Sequence, residues 1–364
     1  MKINNIKAEN YSILIGRNSI SLLSKNIKKL CPKTKNVAII FDGKIPKKFL
    51  VKIRKNLKRY KIFIFKVSSS EKIKNLNQVS AIINKLLKLN FNRSDLVIGF
   101  GGGIVGDMTG LLSSIYKRGI NFINIPSTLL AQVDSCIGGK TGVNSELGKN
   151  LIGSFYNPRL VISDTDLLKS LPKREIICGY AEILKHSLIK DKNLFYFLKK
   201  NTKKILSLES KNLLKSIKRS CEIKLKFTER DFKEKSLRMI LNFGHTFAHA
   251  LEAKNKYSNK LNHGEAVLVG MMIATKISRM KKICSRDTLS QLETIYNDNL
   301  LLKNLSRYMR KKEILKSINF MKNDKKKDDE KISLIFLRKI GTATAPGDFK
   351  YSIKQLVSAI KNLY

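Results

Sequence analysis

No apolar run in this 364-residue chain approaches the ~18 residues that a membrane-spanning helix needs, so no transmembrane span is expected. The opening stretch, Met1 to Asn18, lacks the apolar core and small-residue cleavage site of a secretory leader, and a cytoplasmic location is the expectation. No C-x-x-C spacing occurs. The five cysteines, Cys31, Cys136, Cys178, Cys221 and Cys284, are scattered and odd in number. That argues against a disulfide framework or a zinc cluster and points to free buried thiols in a reducing compartment. No internal repeat is present.

Acid is also scarce: 28 Asp and Glu stand against 72 Lys and Arg, for a formal charge of +44. A balance of this kind raises the reading of a basic nucleic-acid-binding protein. The lysines, however, are spread along the whole chain, and the aromatics do not interleave with them as they do in RNA-binding surfaces. Lys, Asn and Ile are frequent together and share A/T-rich codons, so genome composition is a sufficient cause. A physical consequence remains, because such a field attracts anionic substrates.

The length suits two domains, and a hydrophobic content of 43% is enough for a sizeable core. Short apolar runs at Val37–Phe41, Ile62–Val67, Leu96–Phe100 and Phe122–Ile125 read as strands. A helical pattern over Val79–Leu89 lies among them, and the alternation predicts a parallel sheet covered by helices. After a last strand at Leu160–Ser163 the pattern changes. Pro172–Lys190, Lys192–Leu208, Asn212–Thr228, Met239–Ala253, Gly264–Lys281 and Thr288–Tyr296 all carry helical periodicity. The charged run Asn323–Lys331 reads as a surface loop.

Gly101, Gly103 and Gly106 fit G-x-G-x-x-G directly after a predicted strand and before a predicted helix, Asp107–Ser114. In that context the backbone can approach a pyrophosphate and the helix N-terminus offers it free N–H groups. The acidic ribose-binding residue expected about twenty residues on is missing near Phe122–Pro126. Asp42, at the end of an earlier strand, is the acid on offer, so the arrangement must be a variant. Ser127 and Thr128 follow a strand end and could meet a ligand or cap a helix. Asp134, Gly138, Gly139 and Lys140 read as a second glycine-rich loop, with Lys149 and Asn150 close behind.

Only four histidines occur, and three of them lie in two short motifs. His245 and His249, in N-F-G-H-T-F-A-H-A, share one helix face by their spacing of four. His263 lies in L-N-H-G-E-A-V. Thr246 stands where a zinc protease would carry its glutamate, which argues against that class. Two histidines and a carboxylate would make a catalytic metal site with open positions. The candidate carboxylates are Glu182, in G-Y-A-E-I-L-K-H, with Glu252 and Glu265 as rivals by proximity. On spacing alone the three histidines are equal candidates.

In order and spacing, the motifs G-G-G-I-V-G-D, P-S-T-L-L-A-Q-V-D-S, G-G-K-T, G-K-N, A-E-I-L-K, N-F-G-H-T-F-A-H-A-L-E and H-G-E-A-V resemble those of the 3-dehydroquinate synthase family, within the sugar phosphate cyclases. The resemblance spans roughly residues 37 to 345. It implies an α/β fold, with an N-terminal Rossmann-like parallel-sheet domain (1–163, NAD-binding) followed by a mainly α-helical metal- and substrate-binding domain (164–364). It implies catalytic NAD⁺ and one divalent metal, zinc or cobalt, held by Glu182, His245 and His263. The implied NAD⁺ contacts are Asp42, Ser69, Ser70, Glu71, Lys72, Ile73, Lys74, Gly103, Ile104, Val105, Gly106, Asp107, Ser127, Thr128, Lys140, Lys149, Leu167, Leu168, Lys169 and Ser170. The implied substrate contacts are Asp134, Lys140, Asn150, Lys185, Lys224, Arg238, Asn242, His249 and one of Lys325 and Lys326. Arg118 would reach a neighbouring site in a homodimer. The family's D-G-E-x-x-K segment reads Ser69-Ser70-Glu71-Lys72-Ile73-Lys74 here, and its Thr-Thr pair reads Ser127-Thr128. The remaining alternatives are a metal-dependent polyol dehydrogenase, a sister cyclase acting on another sugar phosphate, and a nucleic-acid-binding protein.

Overall fold

The structure is a computed structural model that describes residues 3–324 and 331–364. The chain forms two compact units. The first runs to Ile176 and takes back Leu213–Lys233; the second comprises Ile177–Asn212 and the chain from Glu234 onward. The sequence reading draws one boundary, between 163 and 164, and treats each domain as continuous. No local pattern marks the return of one helical segment to the first unit.

The first unit is built on a seven-stranded sheet. Its strands are β1 (Asn4–Lys7), β2 (Ser12–Gly16), β3 (Asn36–Asp42), β4 (Lys61–Val67), β5 (Leu96–Gly101), β6 (Asn121–Pro126) and β9 (Leu160–Asp164). The order is β1-β2-β9-β6-β5-β3-β4, and every pairing except β1 with β2 is parallel. The runs at β3, β5, β6 and β9 stand where the apolar pattern put them. They are largely apolar because both sheet faces are covered. Alternate residues sort to opposite faces. Val37, Ile39 and Phe41 pack with α1 (Leu23–Leu30) and α2 (Lys47–Asn56). Ala38 and Ile40 pack with α3 (Leu76–Lys88) and α4 (Gly103–Ile115). Each fully buried Ile or Val on these faces contributes about 1.5–3 kcal/mol.

The strand order reverses between β3 and β5, so the carboxyl ends of these two strands flank the crevice where open α/β sheets bind ligands. Asp42 ends one strand and the glycine run ends the other. The helix after the glycines starts at Gly103 rather than Asp107. Gly138 and Gly139 have positive φ (89° and 67°) and lead from a π-helical turn, Ala131–Ser135. The expected loop at Lys140 is instead a β-hairpin of β7 (Lys140–Ser145) and β8 (Gly148–Phe155). The last part of this unit comes from most of α7 (Ser210–Arg230).

The second unit is mainly helical. It contains α5 (Lys173–Lys190, from Ile177 on), α6 (Lys192–Leu206), α8 (His245–Lys254), α9 (His263–Met280), α10 (Arg286–Asp298), α11 (Lys311–Ile318) and α12 (Ile353–Leu363). Two short strand pairs accompany them: β10 (Ile332–Ser333) with β13 (Lys350–Tyr351), and β11 (Leu337–Lys339) with β12 (Thr342–Ala343). Helix α9 is buried on nearly every side, from Ala266 through Ala274, as expected of a helix that is apolar all round. The single helix expected over Met239–Ala253 is divided. A 3₁₀ turn covers Leu237–Asn242, Gly244 takes φ +79°, and α8 begins at His245. All five cysteines are buried thiols outside any disulfide. Among the described residues, no helix is long and apolar enough to cross a membrane.

Candidate active site

Three close approaches bring α5, α8 and α9 together in the second unit. Gly270 of α9 lies against the backbone of Gly244, where a Cβ would meet the Gly244 carbonyl oxygen. Gly244, in turn, lies against the backbone of Met271. Gly264, in the first turn of α9, lies against the Cys178 backbone of α5, and its N–H donates to Cys178 Sγ at 3.2 Å. Side chains at these positions would hold the helices apart. With hydrogen alone there, the start of α8 and the start of α9 converge on Glu182.

Glu182 is fully buried. Its Oε1 lies 3.6 Å from His245 Nε2 and 3.6 Å from His263 Nε2. The far nitrogen of each ring has an oxygen behind it. His245 Nδ1 is 3.3 Å from the Phe243 carbonyl oxygen, and His263 Nδ1 is 3.4 Å from Glu252 Oε2. This is the pattern of metal-ligating imidazoles, whose second nitrogen is held by a carbonyl or a carboxylate. Ligands ~2.1 Å from a tetrahedral ion stand about 3.4 Å apart, close to the spacings seen. Lys185 Nζ forms an ion pair with Oε2 at 2.5 Å, while Oε1 faces the two imidazoles at 3.6 Å. Two imidazole nitrogens and one carboxylate oxygen at this spacing are the donor set of a catalytic divalent metal, so the residues fit one.

The charges of the three side chains are linked. Burial works against the charge of Glu182, but Lys185 and His263 outweigh it and hold the carboxyl well below its usual range. Burial and the Lys185 charge keep His245 well below the ordinary histidine value despite Glu182. Burial would also lower His263, but the Glu182 and Glu252 carboxylates beside it outweigh burial and raise the imidazole to about 10, so binding a metal there releases a proton.

The structure separates the rival candidates. Glu252 backs His263. Glu265 forms a capping box with Asn262 at the start of α9: its N–H donates to Asn262 Oδ1 and its Oε2 accepts from the Asn262 N–H, both at 2.9 Å. His249 is exposed, with its ring 5.5 Å from His245 and 6.4 Å from His263. Lys185 and Arg238 are almost fully buried, and Asn242 Nδ2 donates to Glu234 Oε1 at 3.2 Å. The support given by Glu252 and the fully buried His186 beside Lys185 were not singled out from sequence. A carboxylate three residues after His249 was a signal for the first; nothing local signals the second.

In the first unit, Lys74 is buried and joins two of the expected regions. Its Nζ donates to Asp107 Oδ2 and to Asn150 Oδ1, each at 2.5 Å. Asn150 holds a left-handed backbone, φ 56°. Burial raises the Asp107 carboxyl above its usual range, and Lys74 offsets this only in part. Glu71 accepts from Lys149 and Asn144, both at 2.8 Å. Burial opposes its charge, yet these donors hold the carboxyl below its usual range. Lys44 Nζ donates to the Ser69 carbonyl oxygen at 2.7 Å, and the Asp42 side chain accepts from the Lys44 N–H at 3.1 Å. Lys224 Nζ contacts both the carboxylate and the carbonyl of Asp134 at 2.6 Å.

Other expected positions have structural duties. Thr128 Oγ1 accepts from the Ala131 N–H at 3.2 Å, so it caps the following turn. Ser127 follows β6, its N–H on the Gly101 carbonyl oxygen at 2.9 Å. Leu167 and Leu168 are fully buried, as is Val105, so only their backbones could meet a cofactor. Ile73 and Ile104 pack against the core. Lys169 pairs with Asp166 at 2.8 Å, and Ser170 Oγ donates to the Leu167 carbonyl oxygen. Ser70 and Lys72 flank Glu71 in a short turn, and Lys140 begins β7 in an exposed position. Arg118 sits in a turn of consecutive positive φ, from Lys117 (45°) through Arg118 (62°) to Gly119 (127°). Lys325 and Lys326 lie outside the described residues.

Known proteins resemble this chain in architecture and in sequence. The family profile described as 3-dehydroquinate synthase N-terminal matches residues 64–178, and its C-terminal counterpart matches residues 179–327. A 3-dehydroquinate synthase from Pelagibacter ubique is 48% identical over 338 residues, covering 93% of this chain and 92% of the relative. Among solved structures, a 2-deoxy-scyllo-inosose synthase complexed with carbaglucose-6-phosphate, NAD⁺ and Co²⁺ superposes with a TM-score of 0.87 at 23% identity, covering 99% of this chain and 100% of that one. A 2-epi-5-epi-valiolone synthase from Streptomyces hygroscopicus, with NAD⁺ and Zn²⁺ bound, does so with a TM-score of 0.82 at 23% identity, covering 100% of this chain and 99% of that one. The two structures share the fold; the consecutive profiles and the near full-length identity go further, and on them the chain belongs to the 3-dehydroquinate synthase family.

Proposed function

We propose that Glu182, His245 and His263 hold the divalent metal of a 3-dehydroquinate synthase, and that the crevice at the ends of β3 and β5 holds its NAD⁺. The family's reaction turns 3-deoxy-D-arabino-heptulosonate 7-phosphate into 3-dehydroquinate and phosphate, a carbon–oxygen lyase step in the shikimate route to aromatic amino acids. It proceeds by transient oxidation of a carbinol, elimination of phosphate, reduction, ring opening and intramolecular aldol closure. When bound, the metal would polarise substrate hydroxyls as a Lewis acid, and NAD⁺ would accept and return one hydride. The observation that carries the metal reading is the shared aim of the two Nε2 atoms at one buried carboxylate oxygen, with an oxygen behind each Nδ1.

The chain's own residues then bind and orient. Lys74 ties Asp107, at the start of the second turn of α4, to Asn150, which steadies the helix whose N-terminal N–H groups would meet a pyrophosphate. Glu71 and Lys149 hold each other beside it. In the first unit Asp134, Lys140, Asn150 and Lys224 are the proposed substrate contacts; in the second they are Lys185, Arg238, Asn242 and His249. A lysine of the 325–326 pair is proposed with them. The cations and amides supply charge-assisted donors for phosphate and carboxylate, and Lys140 and Asn242 are assigned to hydroxyls. Fixing the open-chain intermediate in a ring-closing pose matters as much as their acid/base work. Arg118 is proposed to serve a neighbouring site in a cytoplasmic homodimer.

The deciding assay follows phosphate release from the heptulosonate with NAD⁺ far below the substrate concentration. Many turnovers per NAD⁺, with no net NADH, are expected. Stoichiometric NADH would point to a polyol dehydrogenase instead, and preference for another sugar phosphate would point to a sister cyclase.

A further inference from the structure

The carboxylate of Glu182 is divided between two kinds of partner. Oε1 stands 3.6 Å from both imidazole Nε2 atoms, and Oε2 stands 2.5 Å from Lys185 Nζ. Lys185 is one turn further along α5 and 1% exposed, and Glu182 is 0% exposed. Neither group can turn to water, and the spacing of three on one helix keeps them on the same face. An ammonium pressed on Oε2 blocks that oxygen from a second cation. It also draws electron density from the whole carboxylate, which makes Oε1 a weaker donor.

We propose that Lys185 is a positioning residue that restricts Glu182 to one-oxygen coordination through Oε1, and so keeps the coordination number of the metal low and its affinity moderate. The inference rests on the assignment of Glu182, His245 and His263 as metal ligands. It gives Lys185 a task apart from touching substrate. Three protein atoms leave positions open on the ion, as a catalytic centre requires, whereas a carboxylate binding through both oxygens would fill one of them. A positive charge this close also repels a dication, and the cost falls on affinity.

The test uses the full-length chain loaded with Co²⁺, whose visible absorption weakens as coordination number rises. Wild type, Lys185→Met and Lys185→Gln are titrated with the metal, and both the spectrum and the dissociation constant are read. Lys185→Met is expected to bind Co²⁺ at least ~10-fold more tightly, within the span typical of changes around metal ligands, and to lose visible intensity as Oε2 joins the ion. Lys185→Gln removes the charge but keeps a donor for Oε2, so tighter binding with an unchanged spectrum is expected. A Lys185→Met protein with wild-type affinity and spectrum overturns the proposal. Should that variant not fold, wild-type affinity in Lys185→Gln overturns it instead. Wild type that takes up no Co²⁺ overturns the ligand assignment itself, a result distinct from either.

Discussion

Glu252 Oε2 lies 3.4 Å from His263 Nδ1, on the side of the ring away from Glu182. A carboxylate in that place fixes the ring's orientation and strengthens its other nitrogen as a donor. Glu252→Ala is expected to weaken zinc binding about 10- to 100-fold with little change in secondary structure. Competition titration against a chromophoric chelator measures it, and an unaltered zinc affinity would refute the role.

Removing the metal should stop phosphate release altogether. A strong chelator followed by gel filtration is expected to leave a folded, inactive chain, and zinc or cobalt should restore turnover. Full activity at less than ~0.05 metal per chain, measured by mass spectrometry, would contradict the assignment.

The contact between Gly270 and Gly244 holds α8 against α9. Gly270→Ala puts a methyl group onto the Gly244 carbonyl oxygen. The expected cost is about 1–3 kcal/mol, as for other overpacked sites, with weaker metal uptake because His245 and His263 separate. Thermal melts with and without zinc would show both effects; a variant as stable as wild type would mean that the helices tolerate the added methyl.

Lys74 compensates Asp107 from a buried position, where the two side chains are 6% and 20% exposed. Lys74→Met leaves that carboxylate alone, and a loss of about 3 kcal/mol is expected. The NAD⁺ concentration for half-maximal rate should rise as well, because Asn150 loses the same partner. Urea unfolding and NAD⁺ titration separate the two effects, and neither changing would remove Lys74 from the site.

Asp95 gives a prediction for pH. It is buried, and it accepts from the N–H groups of Lys35, Asn36 and Asn92 and from the Asn36 side chain. Burial opposes its charge, but these donors keep its carboxyl below the usual range. The stability it contributes is therefore present above the unfolded value of ~3.9 and is lost as pH falls through the lower folded value. Asp95→Asn should cost about 2 kcal/mol at pH ~7, and the difference from wild type should shrink towards pH ~3. A gap that stays constant with pH would mean the charge of Asp95 does not matter.

Some of this molecule was open to reading from its residues. The strands at Val37, Leu96, Phe122 and Leu160 announce themselves because a sheet covered on both faces needs mostly apolar runs. The hairpin of β1 and β2 does not, since Asn4–Lys7 is a short, half-exposed edge with no such run. The strands at Lys140 and Gly148 were hidden by glycine and polar residues: Gly142 and Gly153 face each other across the ladder, where side chains would clash. Helical periodicity ran through Phe243 and Gly244, yet a positive φ there divides the segment and makes His245 the first residue of its helix. Spacing brought three histidines together without choosing among them. The family resemblance chose Glu182, and only the folded chain gives Glu252 and Glu265 their separate places.

The helix that returns at Leu213–Lys233 changes how the protein must be made. No single cut in the chain separates the two units, so neither could be obtained by truncation at one point. During synthesis the sheet can form early, but its unit stays incomplete until the ribosome has released Lys233, after Ile177–Asn212 has already emerged. The order of assembly is thus written into the connectivity: the first unit to begin folding has to wait for part of the second.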